Sequence, residues 1–217
     1  MPAPTRLAVP ATSALPASPV AARILSAASR LFYADGIRAV SADRVIAEAG
    51  VSKVTFYRHY PTKDALVVAY LTAVSQSERE AVAASVDAHP DDPATVLRGY
   101  AATIGRESCA PGFRGCAFIN AAAEYADPDH PVRAVVAEHR GWLTGTVATL
   151  LAGLDVDDPA ATAAELVMLR DGAMVAGYVG SPEVVAAALD RAGTAIVAGH
   201  RAPTPGTGDV PGAPAGG

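Results

Sequence analysis

The chain has 217 residues and a net charge of −5, with 51% hydrophobic but only 6% aromatic residues. That balance suits packed helices better than a sheet, and two cysteines, Cys109 and Cys116, are too few for a disulfide scaffold. The longest uncharged helical stretch, Gly141 to Leu154, falls short of the ~20 residues of a membrane span. The low cysteine content and the proline-broken start MPAPTRLAVPATSALPASP fit a reducing cytoplasm rather than a secretory route.

Residues 1–19 lack periodicity and are expected to form a disordered arm. A first helix is predicted over residues 20–34, where Ile24, Ala28, Leu31 and Phe32 recur at helical spacing and Gly36 follows as a stop. Ser41 caps a second helix, with Val45, Ile46 and Ala49 on one face and Gly50 closing it. Ser52 caps a short third helix that must end before Pro61, and Thr62 caps a long fourth over 63–88. Asp92-Pro93, Asp158-Pro159 and Ser181-Pro182 each set a capping side chain before a proline at the first helical position, and His130-Pro131 is a weaker version. Further helices are therefore expected over 93–107, 116–126, 131–153, 159–178 and 182–199, with a disordered tail over 202–217. No segment alternates polar and apolar residues for long, so the fold class is all-α.

The acidic net charge hides an asymmetry. Residues 20–64 carry seven Lys/Arg against four acids, whereas residues 65–217 carry nine Arg against eighteen acids. A basic head on an acidic body is what a protein shows when one end faces phosphates.

The segment SADRVIAEAGVSKVTFYRHYPTKDAL, residues 41–66, contains a short capped helix, a glycine turn, a second short capped helix and an abrupt stop. This is the plan of a helix-turn-helix, which presents its second helix to the major groove. At 100° per residue Phe56 and Tyr60 share an inward face, while Val54, Thr55 and Arg58 point outward, flanked by Tyr57 and His59. A methyl-bearing hydroxyl, a guanidinium, a phenol and an imidazole suit base edges and phosphates.

VSKVTFYRHYPTKDAL, together with VSADRVIAEAG and AARILSAASRLFYADGIRAV before it, resembles the DNA-binding head of TetR-family regulators over about residues 20–66. The resemblance implies a three-helix N-terminal DNA-binding domain and a larger helical domain, residues 67–201, for ligand binding and dimerisation. It places Ser52, Lys53, Val54 and Thr55 at the start of the recognition helix, where bases are read. It sets Tyr57 and His59 against phosphates, with Lys63 holding a phosphate at the start of the fourth helix. Ser41 and Arg44 fall on the backbone-facing side of the second helix. Val54 departs from the family pattern, in which a small residue is usual. GFRGCAFINAAAEYADPDHPVRAVVAEHRGWL, residues 112–143, is similar to one recurrent type of C-terminal domain in the family.

Small residues Gly172, Ala173, Ala176 and Gly177, and an apolar stripe of Val185, Ala188, Leu189, Ala192 and Ile196, suggest that the last two helices pair with their copies in a homodimer. The two-fold would bring two recognition helices to a palindromic operator. For a small-molecule effector, the residues that interrupt the Ala-rich helices are Cys116, Phe118, Asn120, Glu124, Tyr125, His139, Trp142, Met168, Asp171, Met174 and Tyr178. The expectation is a repressor released by its effector, with no cofactor, no metal site and no catalytic constellation. Two alternatives stay open: a redox- or metal-responsive regulator using Cys109 and Cys116, and a helical enzyme carrying a DNA-binding head.

Overall fold

The computed structural model describes residues 18–201. The predicted tail and most of the predicted arm lie outside that range. Within it the chain forms α1 (Pro19–Asp35), α2 (Ala42–Ala49), α3 (Lys53–His59), α4 (Lys63–Ala88), α5 (Pro93–Ser108), α6 (Ala117–Glu124), α7 (Pro131–Ala152), α8 (Pro159–Val179) and α9 (Pro182–Gly199). Among the described residues the only β pairing is an isolated bridge between Val156 and Arg201.

The helices start where capping side chains stand. The side chains of Ser18, Ser41, Ser52, Thr62, Asp92 and Asp158 each accept the N–H three residues on, which satisfies one of the orphan donors of a helix start. Two corrections follow. α1 begins inside the predicted arm, since Ser18 caps it and Pro19 opens it. Ser181 precedes α9 but its side chain makes no capping bond.

α1 to α3 pack at one end around Ile24, Ala28, Phe32, Val45 and Phe56. The same core runs on through Leu66, Tyr70 and Leu71 of α4 into Phe118, Ala121 and Val132 of the body. α4 thus belongs to both parts. A second cluster, around Leu143, Leu151 and Val167, fills the far end of α7 and α8.

Small residues set the close approaches within the body. A Cβ on Gly105 of α5 would collide with Ala186 Cβ of α9, and one on Gly177 of α8 would lie 2.7 Å from Ser108 Cβ. Gly177 therefore serves packing within the chain, not the pairing of chains expected of it. Val185 and Leu189 are likewise buried in the monomer, so the predicted stripe on α9 is partly an internal face. The apolar residues left exposed are others, chiefly Met168 (67% exposed), Val175 and Val179 (70%) on α8, and Val184 on α9.

Candidate functional sites

α2 and α3 are held at a fixed angle by local bonds. Ser41 Oγ accepts Arg44 N–H at 3.2 Å. Gly50 takes the left-handed conformation, φ 61°, which glycine adopts without strain, and Val51 N–H then donates to Ile46 O at 3.2 Å. Ser52 Oγ accepts Thr55 N–H at 3.1 Å and is hydrogen-bonded to Thr55 Oγ1 at 2.8 Å. Phe56 is fully buried, and Tyr60 hydroxyl donates to Ala21 O of α1 at 3.3 Å. Arg23 Nε donates to Ala49 O at 2.9 Å and closes the three-helix unit.

The outer face of α3 carries Val54, 79% exposed, with Tyr57 and Arg58 also exposed and Thr55 and His59 half-buried. Lys53 lies 3.4 Å from Asp43, and Arg44 pairs with Asp35 at 2.7 Å. Lys63 is the first residue of α4 and half-buried; desolvation lowers its ammonium pKa, against the charge of Asp64.

Three contacts join this unit to the body. Glu124, the last residue of α6, accepts the backbone N–H of Ile37 at 2.9 Å and of Arg38 at 2.6 Å. Tyr33 of α1 donates its hydroxyl proton to Gly115 O at 3.0 Å and accepts Arg114 N–H at 2.9 Å. Asp64 of α4 accepts Tyr125 hydroxyl at 2.9 Å and lies 3.4 Å from His130 Nε2.

Behind Tyr33 lies a partly open cavity of about 710 Å³, bordered by α1, α4, α5, α8 and the segment around 113–118. Its wall is apolar and aromatic, with a buried polar network on one side. Tyr100 hydroxyl donates to Glu78 Oε1 at 2.6 Å, and Arg170 Nε donates to Tyr100 Oη at 3.3 Å. Arg170 is only 6% exposed; it lies 4.0 Å from Glu78 and pairs at 3.1 Å with Asp171, which Arg140 also holds at 2.7 Å. A buried guanidinium with these partners is compensated rather than stranded. His139 stacks on Phe118 with ring centroids 3.6 Å apart, and its Nδ1 lies 3.0 Å from Ser75 Oγ. Burial and the charges of Arg170, Arg79 and Arg140 push the imidazole down to about 3, so it is neutral. A smaller cavity of about 260 Å³ lies beyond Tyr100 and Arg170, which line both, towards α9.

Residues 24–70 match the sequence profile of the bacterial regulatory proteins of the tetR family. A TetR-family transcriptional regulator from Streptomyces coelicolor shares 42% identity, covering 83% of this chain and 95% of that one, with a TM-score of 0.79. The chain belongs to the TetR family of transcriptional regulators. The multidrug binding protein EbrR, solved with malachite green, is 26% identical over 81% of this chain and 96% of its own, with a TM-score of 0.58. A TetR regulatory protein from Rhodobacter sphaeroides, at 18% identity, 82% and 99% coverage and a TM-score of 0.73, shares the fold. No curated protein matches the chain by sequence. TetR-family regulators are not enzymes, which removes the enzyme alternative.

This TetR-family body places the eleven expected ligand residues in different surroundings. Cys116, Phe118 and Met174 line the large cavity. Glu124 and Tyr125 instead make the interdomain contacts described above. Asn120 donates its amide to Arg114 O at 2.8 Å, and His139 stands behind Phe118. Trp142 lies under the Arg79 guanidinium, 4.8 Å from the ring centre, and Tyr178 lies under that of Arg114 at 5.0 Å. Met168 is an exposed surface residue, and Asp171 is committed to two arginines. Tyr33, Glu78, Tyr100, Glu107 and Arg170 line the cavity without having been singled out. Arg170 was the most legible of these, as a charge inside the apolar run LVMLRDGAMV. Cys109 is exposed, with its thiol 3.5 Å from Pro182 O, and Cys116 is buried in the cavity wall. Among the described residues no group of three or more His, Cys, Asp or Glu could hold a metal ion, and no helix is long and apolar enough to cross a membrane.

Proposed function

We propose that this regulator is a homodimeric repressor that binds a palindromic operator and leaves it when a small-molecule effector fills the cavity of about 710 Å³. The observation that carries the reading is the shared wall. Tyr33, on the first helix of the DNA-binding head, lines the cavity and is hydrogen-bonded to the loop at its edge. A ligand that moves the 113–118 segment must either break those bonds or move α1 with them. It shifts DNA affinity only as far as it prefers the rearranged state. The complex of the relative EbrR with malachite green supports a small-molecule role for such a body.

In this reading Lys53, Val54 and Thr55 meet base edges, with Ser52 fixing the helix start. Tyr57, Arg58, His59 and Lys63 face phosphates, and Ser41 and Arg44 flank the backbone from α2. Val54 offers an apolar contact to a thymine methyl. Residues 20–66 act as head and 67–201 as sensor and dimerisation domain. The exposed face of Met168, Val175, Val179 and Val184 is the dimer contact, because an apolar surface of this kind is a liability in a monomer.

The test is footprinting of the purified protein on the DNA upstream of its own gene, with sedimentation on the same sample. A dimer protecting a two-fold symmetric site with salt-dependent affinity is expected. A monomer, or no protection at any salt concentration, refutes the reading.

A further inference from the structure

The large cavity has an unusual lining for a chain so poor in aromatic residues. Five of its twelve Phe, Tyr and Trp residues meet there: Tyr33, Tyr70, Tyr100, Phe113 and Phe118. Aromatic faces are negative at their centres and attract cations.

The charged groups of the same wall are mostly committed. Glu78 accepts from Tyr100, Arg170 pairs with Asp171, and Arg30 pairs with Glu48 at 2.8 Å. Glu107 is the exception. It is half-buried on α5, lines the cavity, and its carboxylate has no ion-pair or hydrogen-bond partner among the described residues. Its carboxyl is pushed above the ordinary carboxylate range, first by burial and then by the charge of Glu78, while Arg170 and Arg106 only partly offset this. A desolvated acid without a counter-charge is a cost that a bound cation would remove.

We propose that the cavity takes a bulky apolar organic cation, such as an ammonium or phosphonium, whose charge is held by Glu107 and whose body lies against the aromatic walls. This rests on the effector reading of the cavity given above. The cavity discriminates against an organic anion of the same shape, because Glu78, Arg30 and Arg170 of its wall are paired and the carboxylate left without a partner is that of Glu107.

Tetraphenylphosphonium and tetraphenylborate have the same shape and opposite charge, and Nile red is a neutral apolar probe. Calorimetric titration of the full chain with each should show one tetraphenylphosphonium per cavity, bound at least ~10-fold more tightly than tetraphenylborate. Glu107→Gln should weaken the cation ~10-fold and leave Nile red unchanged, and Glu107→Lys should reverse the preference. Phe118→Trp, which fills the cavity, should weaken all probes. Melting of each variant without probe checks that it is folded. Equal binding of cation and anion, or a cation affinity indifferent to Glu107→Gln, overturns the charge assignment while leaving the effector cavity standing. If none of the three probes binds the wild-type chain, the effector reading and the charge assignment both fall.

Discussion

The carboxylate of Glu124 closes on the backbone N–H of Arg38 at 2.6 Å, joining residues 86 positions apart in the sequence and lying in different parts of the molecule. α6 is only eight residues long, with Cys116 and Phe118 at its start lining the cavity and Glu124 at its end gripping the turn between α1 and α2. One short rod therefore touches both the cavity and the head.

Glu124→Ala is expected to lower stability by about 1–3 kcal/mol, because two backbone donors lose their acceptor. It should also shrink the loss of DNA affinity that a cavity ligand causes. Urea melts and DNA titrations with and without ligand check the two effects separately. An unchanged ligand response in a folded variant removes α6 from the coupling.

On the DNA face, Lys63→Ala should weaken binding to every duplex and reduce the slope of log affinity against log salt by ~1. Thr55→Ala and Lys53→Ala should instead change which operator positions are preferred. Anisotropy titrations at several salt concentrations, on operator and scrambled DNA, separate the outcomes. A Lys63→Ala slope equal to wild type rules out its phosphate contact.

His139 makes stability depend on pH. The folded imidazole is held at about 3, whereas an unfolded one titrates at its ordinary 6.5. Between those values the unfolded chain binds the extra proton, so the contribution of His139 is present above pH 6.5 and lost as pH falls. Between pH 7.5 and pH 5 the loss is about 2 kcal/mol. Urea melts should show it, and His139→Gln should flatten the profile. Parallel profiles for the two proteins count against a neutral buried imidazole.

Val175→Glu with Val179→Glu places charge on the exposed face of α8. The variant should sediment as a monomer, bind operator far more weakly and melt close to wild type, since neither side chain is buried in the chain. A stable dimer in this variant locates the interface elsewhere.

The helices were legible because their ends carry local signals. Ser, Thr or Asp before a proline or a polar first turn, and Gly36 and Gly50 at the exits, are such signals, and all nine helices of the described residues lie within two residues of the sequence reading. The outward face of α3 could be read for the same reason, since its geometry depends on seven consecutive residues and two caps. The cavity could not. Glu124 looks like a pocket acid from its neighbours, and only the fold reveals that its acceptors are turned to Ile37 and Arg38. Tyr33 sits on a helix that the sequence assigns wholly to the head, yet its hydroxyl meets Gly115. Side-chain direction over long sequence separations is a property of packing, and local spacing carries little of it.

Tyr33, Ser29 and Arg30 give the cavity one wall made from the head itself. A chimera that joined this head to a relative's body would carry that wall into a foreign chamber, and the reverse graft would lose it. Ligand taste should therefore change in such transplants even when every body residue around the chamber is retained. Exchange of sensing units between regulators of this build would succeed only if α1 travelled with the chamber it helps to close.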